Sequence, residues 1–453
     1  MKTENGTSKG RRKSRSNGGS NKDQNAKGLS IPDKGEGKEI VALSFSHVIT
    51  SVVDEISAIK LTLDDAMGKS YGTLTKRSRE FTKFLKTRAT EKTDGENRVS
   101  YNMDTLNIHK FSEMVERLKI SAIAPQILAN AMFVSLILRW DVYFTKLLRI
   151  VYEAKSGVVD SSERAISFSD LTRFTSIEEA RQHIVEAEIE DLMRGSHEKH
   201  FSYLATKLGV KISRDEAIWK HFIEITERRT LIAHTDGTVS KQYIEVCGRN
   251  GVDLGDTCSG KSLEITRSYM EFSCDVLAEF AVIVGHILWR RIHKDQSQEQ
   301  DTHHMIITYA LVRDEKYKLA QSLIERFLQD PKNLKNEYVK KASFINLAQS
   351  YKWSENAGKC LETLNREDWS SSRDNFLVAC HVLRDQFEEA AKLMIRIGMD
   401  GDLKKADYDE WPLFKHFRES EFYIEAYRAV FGEDTAVRQI PTSTLPKGET
   451  VEV

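Results

Sequence analysis

The chain has 453 residues, enough for two or three domains, and a net charge of -1, so any affinity for nucleic acid must come from a local patch and not from overall basicity. Charged residues make up 30% of it and prolines number six, a composition that predicts a largely helical protein. Its five cysteines form no CxxC pair and no spacing typical of zinc, which points to reduced thiols in a cytoplasmic protein without a metal site or cofactor.

Residues 1–38 are rich in Gly, Ser, Asn, Lys and Arg, with ten basic against four acidic residues, and predict a disordered basic tail, either solubilising or RNA-binding. The tail has no apolar core and does not read as a secretory signal. The longest apolar runs, residues 131–138 and 276–289, read as too short for a bilayer, which predicts a soluble protein with no membrane association. Residues 39–124 form an N-terminal helical region of several stretches. Within it Lys76 to Lys92 is a basic segment interleaved with Phe81 and Phe84; it fits either a phosphate-backbone contact or the solvated face of an amphipathic helix.

Pro125 is expected to open the next unit, residues 125–296, with a long apolar helix from Gln126 to about Lys155. With Val134, Ile137, Leu138, Phe144 and Leu148 as its core-facing stripe, Asp141 falls in the middle of that face. Ser176 and Glu179 form a capping box that opens a helix from Ile177 to His197 or beyond, continuing through Lys199 to Leu208 until Gly209 breaks it. Ser213 and Glu216 form a second capping box, so the central helix is expected to begin there and to end near Thr235-Asp236-Gly237. The Gly-, Val- and Thr-rich stretch that follows, to about Thr266, reads as a loop with one or two short strands. Arg267 to about Arg291 is the last helix of this unit.

Residues 297–435 change character. Tyr317 to Ala320 with Leu323 recurs as Phe387 to Ala390 with Leu393, and Trp353 with Ala357 lies near the midpoint. A period near 35 with an aromatic followed by a small residue suits stacked helical hairpins, because the small residue lets paired helices approach. These residues resemble a degenerate tetratricopeptide array of about three units. Residues 436–453 form a tail expected to be unstructured.

The central helix carries the chemistry. Ile218, Phe222 and Ile225 fall within about 40° of Arg229 on a helical wheel, so Arg229 sits at the centre of the apolar stripe. Arg228 is turned about 100° away and reads as a solvated charge. An arginine on an apolar face is costly unless it is paired or lines a site. Two long helices therefore each carry one charge where a hydrophobe belongs, and the charges are opposite. Asp141 and Arg229 are expected to meet, whether as a structural salt bridge or as part of a site.

The spacing Arg229-Thr-Leu-Ile-Ala-His234 between long flanking helices resembles the HEPN superfamily of all-helical ribonucleases, over residues 126 to 293. The same spacing class occurs at Arg194 with His200 and at Arg214 with His221; the polar Thr230, the interrupted apolar face and the helix-ending turn after His234 set the Arg229 match apart. Thr230 stands where that family often has Asn. The resemblance implies an all-α, HEPN-like bundle with a small loop or short-strand insertion. It further implies a homodimer that cleaves RNA without a metal, in a toxin or antiviral abortive-infection effector. His234 would act as base or acid, Arg229 as electrostatic stabiliser and Asp141 as its orienting partner, with Arg228, Thr230 and Thr235 against the RNA. The alternative is a non-catalytic HEPN-like adaptor whose helical repeats dock a protein partner.

Overall fold

The computed structural model describes residues 43–93, 99–155, 166–210, 212–213, 216–329 and 334–432. The expected basic tail (1–38) and C-terminal tail (436–453) lie outside them. The described chain is helical almost throughout, as its composition demands.

Two long helices form the backbone of the molecule. Ser44 caps the first, α1 (Phe45–Arg88), by accepting from the His47 amide. A short antiparallel hairpin, β1 (Thr90–Thr93) with β2 (Val99–Asn102), pairs Thr90 with Asn102 and turns the chain into α2 (Thr105–Ala154). The 50 residues of α2 span about 75 Å. Phe81 meets Phe111 at 5.7 Å and Phe84 is buried, so the aromatics of the basic segment face a neighbouring helix.

Pro125 does not open an element; it lies inside α2. A proline denies the helix one amide and crowds the carbonyl four residues back. Arg77 of α1 braces the preceding turn, donating to the Arg117 carbonyl at 3.2 Å and to the Ser121 hydroxyl. Buried contacts on both sides of Pro125 outweigh its local cost, so the sequence boundary there disappears. This continuity also changes the reading of the apolar runs. By length and composition α2 and α8 (Arg267–Ile292) are each long enough to cross a membrane, against the expectation that they are too short. The apolar window of α8 is 78% buried, as in a core helix, whereas that of α2 is 33% buried.

After the short α3 (Phe168–Leu171), α4 (Ile177–Met193) starts where expected, with Ser176 accepting from the Glu179 amide at 3.1 Å. It stops at Met193, and α5 (His197–Leu208) begins afresh after Gly195-Ser196 and ends on left-handed Gly209. The central helix, α6 (Ala217–Thr235), does not use the predicted capping box: Glu216, expected three positions inside the helix, is itself the N-cap, makes no side-chain cap, and pairs its carboxylate with Arg326. Its end is as predicted. Asp236 and Gly237 are both left-handed, and a Cβ on Gly237 would come within 2.4 Å of the Leu263 carbonyl.

The stretch expected to form strands instead holds a helix, α7 (Lys241–Arg249), capped by Ser240, plus one isolated bridge between Thr238 and Ser262. Burial of Tyr243, Val246 and Cys247 on one side of α7 accounts for the difference. The core of this bundle is aromatic. Trp140 lies 4.6 Å from Phe222 and 5.4 Å from Phe280, joining α2, α6 and α8.

The remaining helices pair as three hairpins: α9 (Ser297–Arg313) with α10 (Tyr317–Phe327), α11 (Glu337–Trp353) with α12 (Ala357–Asn365), and α13 (Asp374–Leu383) with α14 (Phe387–Ile397). Each hairpin turns through one left-handed acidic residue, Glu315, Glu355 and Asp385 respectively. The short α15 (Lys405–Glu410), two single 3-10 turns and α16 (Glu421–Phe431) close the last hairpin.

Candidate functional site

The site forms where α2, α5 and α6 meet. Ile218, Phe222 and Ile225 bury one face of α6, and that packing carries Arg229 to α2. Arg229 Nη2 donates to Asp141 Oδ2 at 3.2 Å, with the two side chains 28% and 21% exposed. The ionic contact expected from two interrupted apolar stripes is therefore present. At this depth water screens the pair only partly, and breaking it would leave a half-buried charge unanswered.

The other oxygen of Asp141 is taken by a histidine that the sequence reading did not single out. His197 Nε2 lies 3.0 Å from Asp141 Oδ1. Its ring packs edge-on against Phe222 at 5.6 Å and lies 5.1 Å from that of His200. His197 reaches this place because the chain breaks at Arg194 to Ser196 and restarts with His197 as the first residue of α5. A Gly-Ser pair ahead of a charged first turn is a helix-restart signal, and it was available in the sequence. His200, the decoy partner of Arg194, is buried against Phe144 at 5.3 Å. Burial, reinforced by the neighbouring His197, pushes its imidazole down to about 4.

Half-buried Glu227 completes the charged cluster. Burial raises its carboxyl above the ordinary range, partly offset by the nearby His197, Arg249 and Arg229. Behind it Glu198 accepts from Asn250 Nδ2 at 2.7 Å and pairs with Arg249, while Asn250 Oδ1 accepts from Trp219 at 3.0 Å. The cluster is thus braced from α5, α6 and α7.

No protein-family model, curated protein or solved structure matches the chain.

Arg228 departs from expectation. It is not a solvated charge: its side chain is 16% exposed, less than that of Arg229. Its Nε donates to Glu224 at 2.7 Å and its guanidinium lies 3.9 Å over the ring of Tyr269. Tyr243 and Tyr269 donate to the two oxygens of the same Glu224, at 2.7 and 2.5 Å. Burial, together with the adjacent carboxylate, holds both phenols protonated. This closed ionic network leaves Arg228 unsuited to the RNA contact assigned to it.

His234 stands apart from the Asp141 pair. It is exposed in the last turn of α6, and among the described residues no hydrogen bond or ion pair reaches its ring. Five positions along a helix rotate by about 140°, so it points away from Arg229. The exposed Thr230 hydroxyl donates back to the Thr226 carbonyl at 3.3 Å, and that of Thr235 lies 2.9 Å from the carbonyls of Leu231 and Thr238. Asn130 contacts Asp236 at 3.5 Å, tying this helix end to α2. Among the described residues no group of three or more His, Cys, Asp or Glu side chains is arranged to hold a metal ion.

Along α2 beside this helix end runs an uncovered apolar stripe. Ile120, Ile123, Ile127 and Leu138 are each at least half exposed, with Ala131 between them. Their spacing of three, four, four and seven positions keeps them on one side of α2, in a heptad-like row.

Proposed function

We propose that this chain is a metal-independent endoribonuclease of the HEPN type that acts as a cytoplasmic homodimer, with tetratricopeptide-like hairpins appended. The observation that carries this reading is Arg229, fixed by Asp141 at the edge of the bundle and followed one and a half turns later by the exposed His234. A guanidinium held by one carboxylate keeps most of its five donors for a phosphate. An exposed imidazole with free ring nitrogens is open to a substrate hydroxyl and is the commonest side chain for general acid–base work.

In this reaction His234 takes the proton from a ribose 2′-hydroxyl and the 2′-oxygen attacks the adjacent phosphorus. The bond to the 5′-oxygen breaks, that oxygen takes a proton from water, and His234 returns the 2′-hydroxyl proton to solvent. Arg229 stabilises charge on the phosphate oxygens. The products are a 2′,3′-cyclic phosphate and a 5′-hydroxyl. Asp141 and His197 are positioning residues that fix the guanidinium. Because Arg229 and His234 diverge on one helix, the site needs both protomers, and the apolar row on α2 supports a second copy of this chain as its cover. A role as a toxin or antiviral effector follows from the family resemblance.

Incubation of the purified chain with total RNA in EDTA, followed by analysis of fragment ends, tests this reading. Cyclic phosphate ends from the wild type and none from His234→Ala are expected. Intact RNA from both, with a folded dimer, would overturn it and favour an adaptor. The adaptor reading is supported by a cleft of about 510 Å³ along the hairpins, lined by Tyr309, Asn346, Asp407 and Trp411, among others, which would suit a docked peptide.

A further inference from the structure

The chemistry at Arg229 leaves the basic segment of α1 without a role. From Lys69 to Lys86 the sequence carries six cations against one acid, Glu80, in a chain whose net charge is -1. The structure sorts these residues by face. Arg77, Phe81 and Phe84 fall within about 60° of one another on a helical wheel and turn towards α2. Arg77 donates to the Arg117 carbonyl at 3.2 Å, Phe81 meets Phe111 at 5.7 Å and Phe84 is buried. Lys69, Lys76, Arg79, Lys83 and Lys86 occupy an arc of about 100° on the far side. All five are exposed, and among the described residues none of them is paired with a carboxylate.

Two glycines share that arc. A Cβ on Gly68 or Gly72 would meet nothing within 4 Å, so no other part of this chain uses the space they leave. Each costs the helix about 1 kcal/mol relative to alanine, and together they open its backbone to close approach from outside. Between Gly68 and Lys86 the arc carries glycine, lysine and arginine alone. Five like charges repel a second copy of the same stripe, and the apolar side chains that a lipid surface would take up are missing from it. A row of cations about 26 Å long on a straight helix suits a chain of phosphates.

We propose that this face of α1 binds RNA along its phosphodiester backbone, without regard to base sequence. The ammonium groups and the Arg79 guanidinium meet phosphate oxygens, and the two glycines let the strand lie close to the helix. The arm adds affinity and steering to the reaction centre but no base recognition. The proposal rests on the RNA reading, yet its test needs no cleavage.

Fluorescence anisotropy of a labelled oligouridine, titrated in EDTA with the full chain carrying His234→Ala at about 50 to 200 mM salt, tests it. Each phosphate contact on a single strand contributes about -0.7 to the slope of log K against log salt. Replacing all five cations with Gln should therefore flatten the slope by about 2–3.5 and weaken binding at least about tenfold at about 100 mM salt. Lys76→Gln with Lys83→Gln should give an intermediate slope. Gln at Lys207, Lys241, Lys261, Lys318 and Lys415, five exposed lysines elsewhere, should leave it nearly unchanged, with helical circular dichroism kept throughout. Equal slopes for the stripe and control variants would overturn the proposal. So would loss, with the stripe, of binding to phosphatidylserine vesicles but not to RNA. RNA cut by the wild type with an idle stripe would overturn the arm and keep the nuclease; stripe-dependent binding without any cleavage would keep the arm and overturn the nuclease.

Discussion

Arg229 and Asp141 stand 88 positions apart in the chain and 3.2 Å apart in space. The contact joins α6 to α2 across the edge of the aromatic core, and His197 holds the second carboxylate oxygen. Asp141 is therefore the centre of a three-residue arrangement whose arginine and histidine never touch the same oxygen.

Replacing Asp141 with Asn should uncover this dependence. The variant keeps the shape but removes the charge that answers a half-buried guanidinium, and it should lose about 1–3 kcal/mol of stability in urea unfolding. A double-mutant cycle with Arg229→Met should give a coupling of about 0.5–3 kcal/mol. Independent, additive effects would show the contact to be energetically idle.

His234→Ala and His197→Ala should separate chemistry from architecture. The exposed His234 ring supports nothing nearby, so its loss should change stability by no more than about 0.5 kcal/mol while RNA cleavage disappears. His197→Ala should destabilise the fold, because it opens a hole beside Phe222 and frees an oxygen of Asp141. Equal stability losses in the two variants would contradict the assignment.

Acidification should weaken the fold through its buried histidines. His200 titrates near 6.5 when unfolded and at about 4 when folded, so between those values the unfolded chain holds the extra proton. Its contribution is full above about pH 6.5 and is lost as pH falls towards 4, at up to about 1.4 kcal/mol per pH unit. Glu227 and Glu279, whose carboxyls burial raises, act in the opposite sense and are unaffected by changing His200. Urea midpoints of wild type and His200→Phe measured from pH 7 to pH 4 should therefore converge or cross as pH falls; parallel curves would disprove the claim.

Gly285→Ala should be costly despite the better helix propensity of alanine. An added Cβ would lie 2.5 Å from both Ile49 and the Tyr143 hydroxyl, and that hydroxyl is committed to the Ala281 carbonyl at 2.6 Å. Overpacking of this kind costs about 1–3 kcal/mol, more than the roughly 1 kcal/mol that propensity returns. A melting temperature at or above that of the wild type would refute it.

The row of isoleucines on α2 should hold the dimer together. Light scattering should give twice the chain mass for the wild type and a monomer for Ile123→Glu with Ile127→Glu, the helix content being unchanged. A monomeric wild type would deprive the RNA reading of the partner it requires and leave His234 without a route to Arg229.

Periodicity alone located Asp141 and Arg229, because a charge within an apolar stripe is visible from a dozen neighbouring residues and needs no knowledge of the partner. The end of α6 was legible for the same reason: Asp236 and Gly237 accept left-handed backbone that other residues resist. Tertiary packing decided the rest. It carried α2 straight through Pro125, made α7 a helix where Val and Gly suggested strands, and enclosed Arg228 with Tyr243 and Tyr269, which belong to other helices. It also brought His197, from the start of a separate helix, onto the second oxygen of Asp141. Helical phase fixes which way a side chain points along its own axis, but which neighbour it meets depends on how separate helices bury their apolar faces together.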